Sequence, residues 1–95
     1  MIRVNKEKTA QIAERIQEDA KKVNTLIAEM EEEQINLSKI WISEASDLTQ
    51  EKMKMLKENC EAIKKEMEFI GDTIQCILQE IQAQEKLDLQ KATQL

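Results

Sequence analysis

The chain has 95 residues and a formal net charge of −5, with 35% charged and 41% hydrophobic residues. It contains one glycine and no proline, and it is rich in Glu, Lys, Gln, Ala and Leu, which favour helices over turns and sheets. The acidic balance and the lack of a basic stripe with interleaved aromatics make DNA, RNA and anionic membranes poor candidate partners. We therefore predict a single all-α domain.

The N-terminal segment, MIRVNKEKTAQ, has no apolar run of signal-peptide length. No later segment reaches the roughly 20 apolar residues of a membrane span. We accordingly expect neither a secretory signal peptide nor a membrane span.

The first periodic segment runs from Ile16 to Trp41. Its members alternate spacings of four and three, which is typical of a seam packed against another helix. They are Ile16, Ala20, Val23, Ile27, Met30, Gln34, Leu37 and Trp41. Only Gln34 is polar, and we predict a first helix over about 6–39.

A second series keeps the same rhythm with no polar member. It comprises Met53, Leu56, Cys60, Ile63, Met67, Ile70, Ile74, Ile77 and Ile81. It is out of phase with the first series, which would continue through Glu44, Glu51 and Glu58 and bury acids in one long rod. Folding the chain back removes this conflict. We predict an antiparallel helical hairpin with a turn at about 40–43, a second helix over about 44–88 and a C-terminal tail at 89–95.

The predicted turn contains the one tryptophan of the chain. Ser43 is placed to cap the second helix by accepting from its free amides, and Glu44 and Asp47 suit the positive end of its dipole. Trp41 falls at the last seam position, where we expect it to close the hairpin end and bury its ring against both helices. The alternative interpretation is that Trp41 is an ordinary core residue.

A further apolar stripe recurs every seven residues on the second helix, roughly 100° from the nearer edge of the main seam. It comprises Leu48, Met55, Ala62, Phe69, Cys76 and Ala83. One neighbouring helix cannot cover both stripes, so we predict partner-binding residues at Leu48, Met55, Phe69 and Cys76, and pairing of two hairpins into a four-helix bundle. Scattered surface apolar residues are the alternative.

The first helix and Gly71 add two smaller observations. Ile12, Leu26 and Ile40 form a shorter line beside the first seam, interrupted by Asp19 and Glu33. Gly71 costs its helix about 1 kcal/mol relative to alanine. It therefore marks either a close helix crossing or a tolerated imperfection.

Residues for catalysis are nearly absent. The chain has no histidine, which excludes His-dependent triads and di-iron bundle motifs, and two cysteines are too few for a tetrahedral zinc site. Cys60 and Cys76 would lie about 24 Å apart on one helix, so they cannot pair within the chain, which favours a reducing compartment. We predict a non-enzymatic protein without metal or cofactor.

Trp41, Ile42, Ser43 and Ala45, set between two helical arms, resemble the Trp-x-Gly (WXG) superfamily of small type VII secretion proteins, with Ser43 at the usual glycine position. The resemblance covers the whole chain and implies a hairpin that pairs with a second hairpin and is exported as a folded dimer, or carries larger substrates. It also implies a C-terminal export signal, a bulky residue followed four positions later by an acid, which Ile81 and Glu85 match loosely.

The resemblance leads to one functional hypothesis and leaves two alternatives open. The hypothesis is a small WXG-like protein of a Gram-positive type VII system, secreted without a signal peptide and recognised by the secretion ATPase. Its partner would be a second copy, a homologous small helical protein or a helical domain of a larger secreted protein. The alternatives are a cytoplasmic adaptor for a larger type VII toxin and an unrelated coiled-coil subunit of an intracellular assembly.

Overall fold

The structure is a computed structural model that describes residues 3–94. Within this range the backbone forms helix α1 (Lys6–Ile40) and helix α2 (Glu44–Thr93), and the two pack against each other along their length. The resulting rod has extents of 79 × 16 × 15 Å. The all-α class and the hairpin predicted from the sequence are therefore confirmed.

The polar contacts between the helices show that they run antiparallel. Along α1 the order of the contacting residues is Lys6, Gln17, Asn24, Glu31 and Gln34, and their partners on α2 are Glu85, Gln75, Lys64, Lys57 and Gln50. Partner numbers fall steadily as α1 numbers rise. These contacts also define the alignment of the two helices, because each joins residues at about the same level of the rod; four join side chains, and Gln50 donates to the Gln34 backbone carbonyl.

Helix α1 begins at a polar cap and ends at the predicted turn. The Asn5 side chain accepts a hydrogen bond from the Lys8 backbone N–H at 3.1 Å, which satisfies one of the free amides of the first turn. At the other end the backbone of Trp41 is extended, with φ −139° and ψ 114°. Its N–H still donates to the Leu37 carbonyl at 3.1 Å, so the helical hydrogen bonding stops there.

Helix α2 begins with the cap expected at Ser43, strengthened by a second serine. The Ser43 hydroxyl accepts from the Ser46 N–H at 3.1 Å, and the Ser46 hydroxyl accepts from the Ser43 N–H at 3.0 Å. This reciprocal capping box satisfies two backbone donors where no proline or glycine shapes the turn. Glu44 and Asp47 lie in the first helical turn, as predicted.

The structure corrects the prediction of a non-helical C-terminal tail. Helix α2 continues to Thr93 instead of ending near residue 88, so residues 89–93 are helical. The physical reason is that LQKAT contains no glycine or proline and mostly good helix formers, so no residue ends the helix earlier. Leu95 lies outside the described residues.

The centre of the hairpin contains small side chains where the helices meet. Its buried apolar residues are Ala13, Ala20, Ile27 and Leu78. The predicted seam of α1 is correct over Ile16–Leu37, where each member is buried or half-buried, and Ala13 extends it toward the N-terminus. No side chain of more than alanine size is fully buried among the described residues, so the core is thin.

The predicted seam of α2 is half wrong. Met53, Cys60, Met67, Ile74 and Ile81 contribute to it as expected, each half-buried. The alternate members, Leu56, Ile63, Ile70 and Ile77, are 47% to 54% exposed. Their places against α1 are taken by the residues that follow them, namely Lys57, Lys64, Gly71 and Leu78.

The physical reason for this shift lies in the partners that α1 offers. Glu31 and Asn24 lie beside the α1 seam and bind the ammonium groups of Lys57 and Lys64 at 2.6 and 3.1 Å. The aliphatic stems of the two lysines can then cover the seam while their charged ends remain partly in water. Because only the alternate members move on by one residue while Met53 and its equivalents keep their places, the centre of the seam is rotated by about 50° of helix.

Gly71 marks a close helix crossing. It is buried, and a Cβ built on it would lie 2.7 Å from Cγ of Gln17. The Gln17 side chain lies across the glycine, donating from Nε2 to Asp72 Oδ1 at 3.0 Å and accepting at Oε1 from Gln75 at 3.2 Å. Of the two interpretations offered by the sequence, the close crossing is confirmed.

Candidate functional site

One side of the hairpin carries the polar contacts between the helices. We call it the polar face, and it is formed on α1 by Gln17, Asn24 and Glu31, which recur every seven residues and follow the buried Ala13, Ala20 and Ile27 by four. Their partners on α2 lie at or just beyond the row of Lys57 and Lys64. Because these residues bond across the seam, the two polar edges must lie on the same side of the rod.

The other side of the hairpin carries apolar residues, and we call it the apolar face. On α2 its members are the residues directly before Lys57, Lys64, Gly71 and Leu78 in the sequence. On α1 its members are the residues directly before Ala13, Ile27 and Trp41. At about 3.6 residues per turn both rows lie at the seam edges opposite the polar contacts. The members are Ile12, Leu26, Ile40, Leu56, Ile63, Ile70 and Ile77, all exposed.

The alignment of the helices brings the two rows of the apolar face together. Counting from the Gln17 contact with Asp72, Ile12 lies at the level of Ile77, and counting from Asn24 and Lys64, Leu26 lies within one residue of the level of Ile63. Asp19 and Glu33 interrupt the α1 row, whereas the α2 row has no polar member. The result is an apolar strip that is continuous on α2 and interrupted on α1.

The accessible surface is large for the size of the chain. The hairpin exposes 7984 Å², whereas a compact monomer of 11.1 kDa would expose about 5,700 Å². A standard protein interface buries about 800 Å² on each partner. The excess is therefore large enough for the hairpin to bury a full interface and still be more open than a compact domain.

The predicted partner-binding residues form a separate row. Leu48, Met55, Phe69 and Cys76 are all exposed, and they lie on the side of α2 turned away from α1. We call them the outer row. A row of polar or charged residues, including Lys52, Asn59 and Glu66, lies between the outer row and the apolar face. The outer row therefore exists as a surface, but it does not adjoin α1 and is not continuous with the apolar face.

The Trp41 side chain in the turn is less buried than the sequence predicted. Its side chain retains 38% of its accessibility, so its burial against both helices is only partial. The reason is its position as the C-cap, where the extended backbone leaves the helix before the ring can enter the seam. Ile40 and Ile42 beside it are almost fully exposed, which gives the turn end an apolar tip.

The two residues of the predicted export signal lie at the open end of the hairpin. Ile81 is half-buried and lines an open groove of about 350 Å³ together with Val4, Thr9 and Leu78. Glu85 forms an ion pair with Lys6. Both residues thus contribute to contacts between the chain's two ends in this structure.

The titratable groups give the site one electrostatic feature. The hydrogen bond that the Lys57 ammonium donates to the Glu31 carboxylate, together with the negative charge of Glu31, Glu61 and Glu58, raises the pKa of Lys57 above its ordinary value of 10.5. Lys57 is therefore a persistent cation on the polar face. Within residues 3–94 no group of His, Cys, Asp and Glu is arranged to hold a metal ion, and Cys60 and Cys76 are free thiols.

The arrangement presents an exposed apolar strip on one side and a row of polar contacts on the other. Neither described helix is long and apolar enough to cross a membrane. Sequence reasoning missed that Leu56, Ile63, Ile70 and Ile77 lie outside the hairpin seam. The available signal was that Lys57 and Lys64, one residue later, match the spacing of Glu31 and Asn24 in an antiparallel alignment.

No protein-family model, curated protein or solved structure matches the chain.

Proposed function

We propose that the protein is a non-enzymatic helix-binding protein that pairs through its apolar face with a second helical hairpin to make a four-helix bundle. In this proposal it serves as a WXG-like small protein of a Gram-positive type VII secretion system, exported as a dimer or carrying a larger substrate. Its partner is another copy, a homologous small protein or the helical domain of a larger secreted protein.

The observation that carries the proposal is the half-exposed row Leu56, Ile63, Ile70 and Ile77. Fully burying a side chain of this type contributes about 1.5–3 kcal/mol, and about half of that remains to be gained at each position. A partner hairpin laid on this face would cover the row in the way that helices pack in four-helix bundles. Such a row left in water would instead favour nonspecific association.

The turn supports the WXG-like assignment within this proposal. Trp41 lies directly after α1, and Ser43 caps α2 from the position where the superfamily usually has glycine. Serine at this position holds an extended backbone, with φ −170°, so no glycine is needed for the turn. The apolar tip at Ile40, Trp41 and Ile42 would remain available to the secretion machinery.

One observation favours the adaptor alternative over an exported substrate. Ile81 and Glu85, the proposed signal, are engaged by the N-terminal segment and by Lys6. These contacts compete with the ATPase for the signal, although the Glu85 side chain stays 55% exposed in its ion pair. A cytoplasmic adaptor that delivers a larger helical toxin would not need it, and its two free thiols would suit a reducing compartment.

Sedimentation velocity in reductant tests the binding face. We expect the wild-type chain to form a compact dimer, or to do so with a co-expressed partner hairpin. Ile63→Gln combined with Ile70→Gln should weaken that association at least tenfold. The matched control is Glu58→Gln with Lys65→Gln, which changes two exposed positions outside the apolar face and leaves the net charge unchanged. Equal association of the two variants would rule out the apolar face as the binding surface.

A secretion assay tests the biological part of the proposal. The tagged chain is expressed in a Gram-positive host with an active or an inactive type VII ATPase, and medium and cells are compared. We expect ATPase-dependent release and a loss of release for Trp41→Ala but not for Ile42→Ala. Retention in the cell, with release of a co-expressed toxin, would favour the adaptor. Retention of both proteins would exclude a type VII role.

A further inference from the structure

We propose that α2 has a second position against α1, reached by rotation about its own axis by about 50°, in which its row of the apolar face enters the seam. We call the described position open and the second position closed. The inference rests on the proposed function, because it assumes that the apolar face binds a partner. It goes further by giving the free chain a way to cover this face itself.

Two rows of α2 compete for one side of the seam. The members that keep their places with either row are half-buried, and they are Met53, Cys60, Met67, Ile74 and Ile81. In the open position the row between them is Lys57, Lys64, Gly71 and Leu78. In the closed position it is the row one residue earlier, Leu56, Ile63, Ile70 and Ile77, which completes the wholly apolar series of the sequence. Each row continues the spacings of three and four, so one helix suits both positions.

The contacts that hold the open position are mostly polar and remain partly in water. The Lys57 and Glu31 side chains are 28% and 48% accessible in their ion pair, and the hydrogen bond from Lys64 to Asn24 is exposed. Such contacts contribute little net stability, because water competes for both partners. The two lysines give the seam only their aliphatic stems. In this row Leu78 is the large apolar side chain that is buried, at 7% exposure.

The close crossing at Gly71 also favours the open position. The helices approach each other there because the glycine has no Cβ, and the Gln17 side chain lies across it. In the closed position Ile70 takes this place, and its larger side chain requires a wider spacing between the helices. The crossing is therefore a cost of closing, and it is confined to one level of the rod.

Apolar burial favours the closed position. The α2 row of the apolar face is 47% to 54% exposed, and the rotation turns all of it toward α1. On the same side α1 offers Ile12, at the level of Ile77, and Leu26, within one residue of the level of Ile63. Ile12 and Leu26 are 52% and 54% exposed, so both helices lose exposed apolar surface. Polar contacts and a close crossing thus oppose apolar burial, a balance that lets one sequence adopt two packings.

The turn permits the rotation because its cap belongs to α2. The reciprocal hydrogen bonds of Ser43 and Ser46 join residues at the start of α2, so they turn with it. Between this cap and the end of α1 lie only Trp41 and Ile42, and the Trp41 backbone is already extended. The link that must change its torsion angles is therefore short and lies outside both helices.

The rotation regulates the apolar face. A partner that covers this face binds only the open position, because the α2 row must lie outside the seam to be reached. Binding therefore shifts the chain toward the open position, and the closed population lowers the apparent affinity in proportion. Closing also removes an apolar strip that favours nonspecific association. The free chain is in this way protected until its partner is present.

Distances between two spin labels on one chain test the rotation. Cys60→Ala and Cys76→Ala remove the native thiols, and Thr25→Cys places one label on an exposed position of α1. The second label is placed on α2 through Glu66→Cys in one chain and Glu68→Cys in another. Excess unlabelled chain in each sample leaves only the distances within one molecule.

The two α2 labels lie on opposite sides of the rod. Glu66 follows Ile63 by three residues on the apolar side, and Glu68 pairs with Lys64 on the polar side. A rotation of about 50° moves a side chain at the helix surface by about 5 Å. Closing brings position 66 toward α1 and takes position 68 away from it, so the two distances must change in opposite directions.

We expect the monomer to give two distances for each label pair, and the chain bound to a partner hairpin to give only the open one. Gly71→Ala should raise the closed fraction several-fold, because its Cβ meets Gln17 only in the open position. Adding Gln17→Ala should reverse that rise. Ile63→Gln with Ile70→Gln should leave only the open distance, because neither amide side chain enters the seam.

The outcomes separate this inference from the proposed function. A single distance for each pair, unchanged by Gly71→Ala, would overturn the rotation and leave the binding face to the sedimentation test. Distances that change in the same direction would show a change of helix spacing and would also overturn it. Two distances in a chain that associates with no hairpin would support the rotation and count against the proposed function.

Discussion

The two faces of the hairpin differ in whether the residues at the edge of the seam contact the other helix. On the polar face, Lys57, Lys64 and Gln75 bind side chains of α1, which fixes the alignment of the helices. On the apolar face, Leu56 and Ile63 have comparable access to the seam but remain half-exposed. The difference is that polar contacts join the helices on one side of the seam, while on the other side much of the apolar material stays on the surface.

The largest expected effect comes from two adjacent residues on α2. Leu78 is 7% exposed in the seam, and Ile77 is 50% exposed on the apolar face. At concentrations where the chain is monomeric, Leu78→Ala should lower the free energy of unfolding by about 2–4 kcal/mol, and Ile77→Ala by about 1 kcal/mol or less. Urea unfolding followed by circular dichroism measures both. Equal losses would mean that the seam is not rotated as described.

An exchange of two neighbours sharpens the comparison. Leu56→Lys combined with Lys57→Leu moves the apolar side chain into the seam and the charge onto the apolar face. We expect the monomer to gain about 1 kcal/mol from the added apolar burial, while association falls. Lys57→Leu alone is the control, and it should gain stability but keep its association. A less stable exchange variant would show that the Glu31 contact outweighs apolar burial.

Gly71 allows a test of the crossing on the polar face. Alanine would normally stabilise a helix by about 1 kcal/mol relative to glycine, but here its Cβ would meet Gln17. We expect Gly71→Ala to destabilise the wild-type chain by about 1 kcal/mol and to stabilise the Gln17→Ala variant by a similar amount. Thermal unfolding of the four chains gives the coupling. The same sign in both backgrounds would contradict the close approach.

The smallest expected effect is the pH dependence of the Lys57 contact. Because the pKa of Lys57 is raised above 10.5 in the folded chain, the stabilisation is fully present below that value and is lost as pH rises through the folded pKa. Unfolding measured at a series of pH values from neutral to strongly alkaline should therefore show a small loss that Lys57→Met lacks. Parallel curves for the two chains would indicate that Glu31 does not stabilise the ammonium group.

The sequence was sufficient for the hairpin but not for the rotation of its second helix. The phase conflict after Trp41 and the serine at position 43 predicted the turn, because both depend on local spacing and capping. Leu56 and Lys57 are both compatible with the helical period, so hydrophobicity alone selected the wrong one. The choice depended on Glu31 and Asn24 on the other helix, and such contacts appear only once the alignment of the two helices is known.

Gly71 and Ser46 illustrate the same limit at single positions. The glycine could be noticed in the sequence, but its role required the Gln17 side chain that crosses it. The capping role of Ser46 could have been found from its position three residues after Ser43, since a reciprocal cap uses that spacing. The partner-binding residues, in contrast, depend on which surface another molecule covers, which a single chain does not specify.

The length of α2 beyond Glu85 affects how the molecule can be handled and probed. Every described residue from Gln82 onward is exposed, so this stretch has little tertiary packing to stabilise its backbone hydrogen bonds. Its amides should exchange with solvent well before those of the seam. This end is therefore the natural attachment point for a tag or a surface tether, because a group fused there meets neither face of the rod.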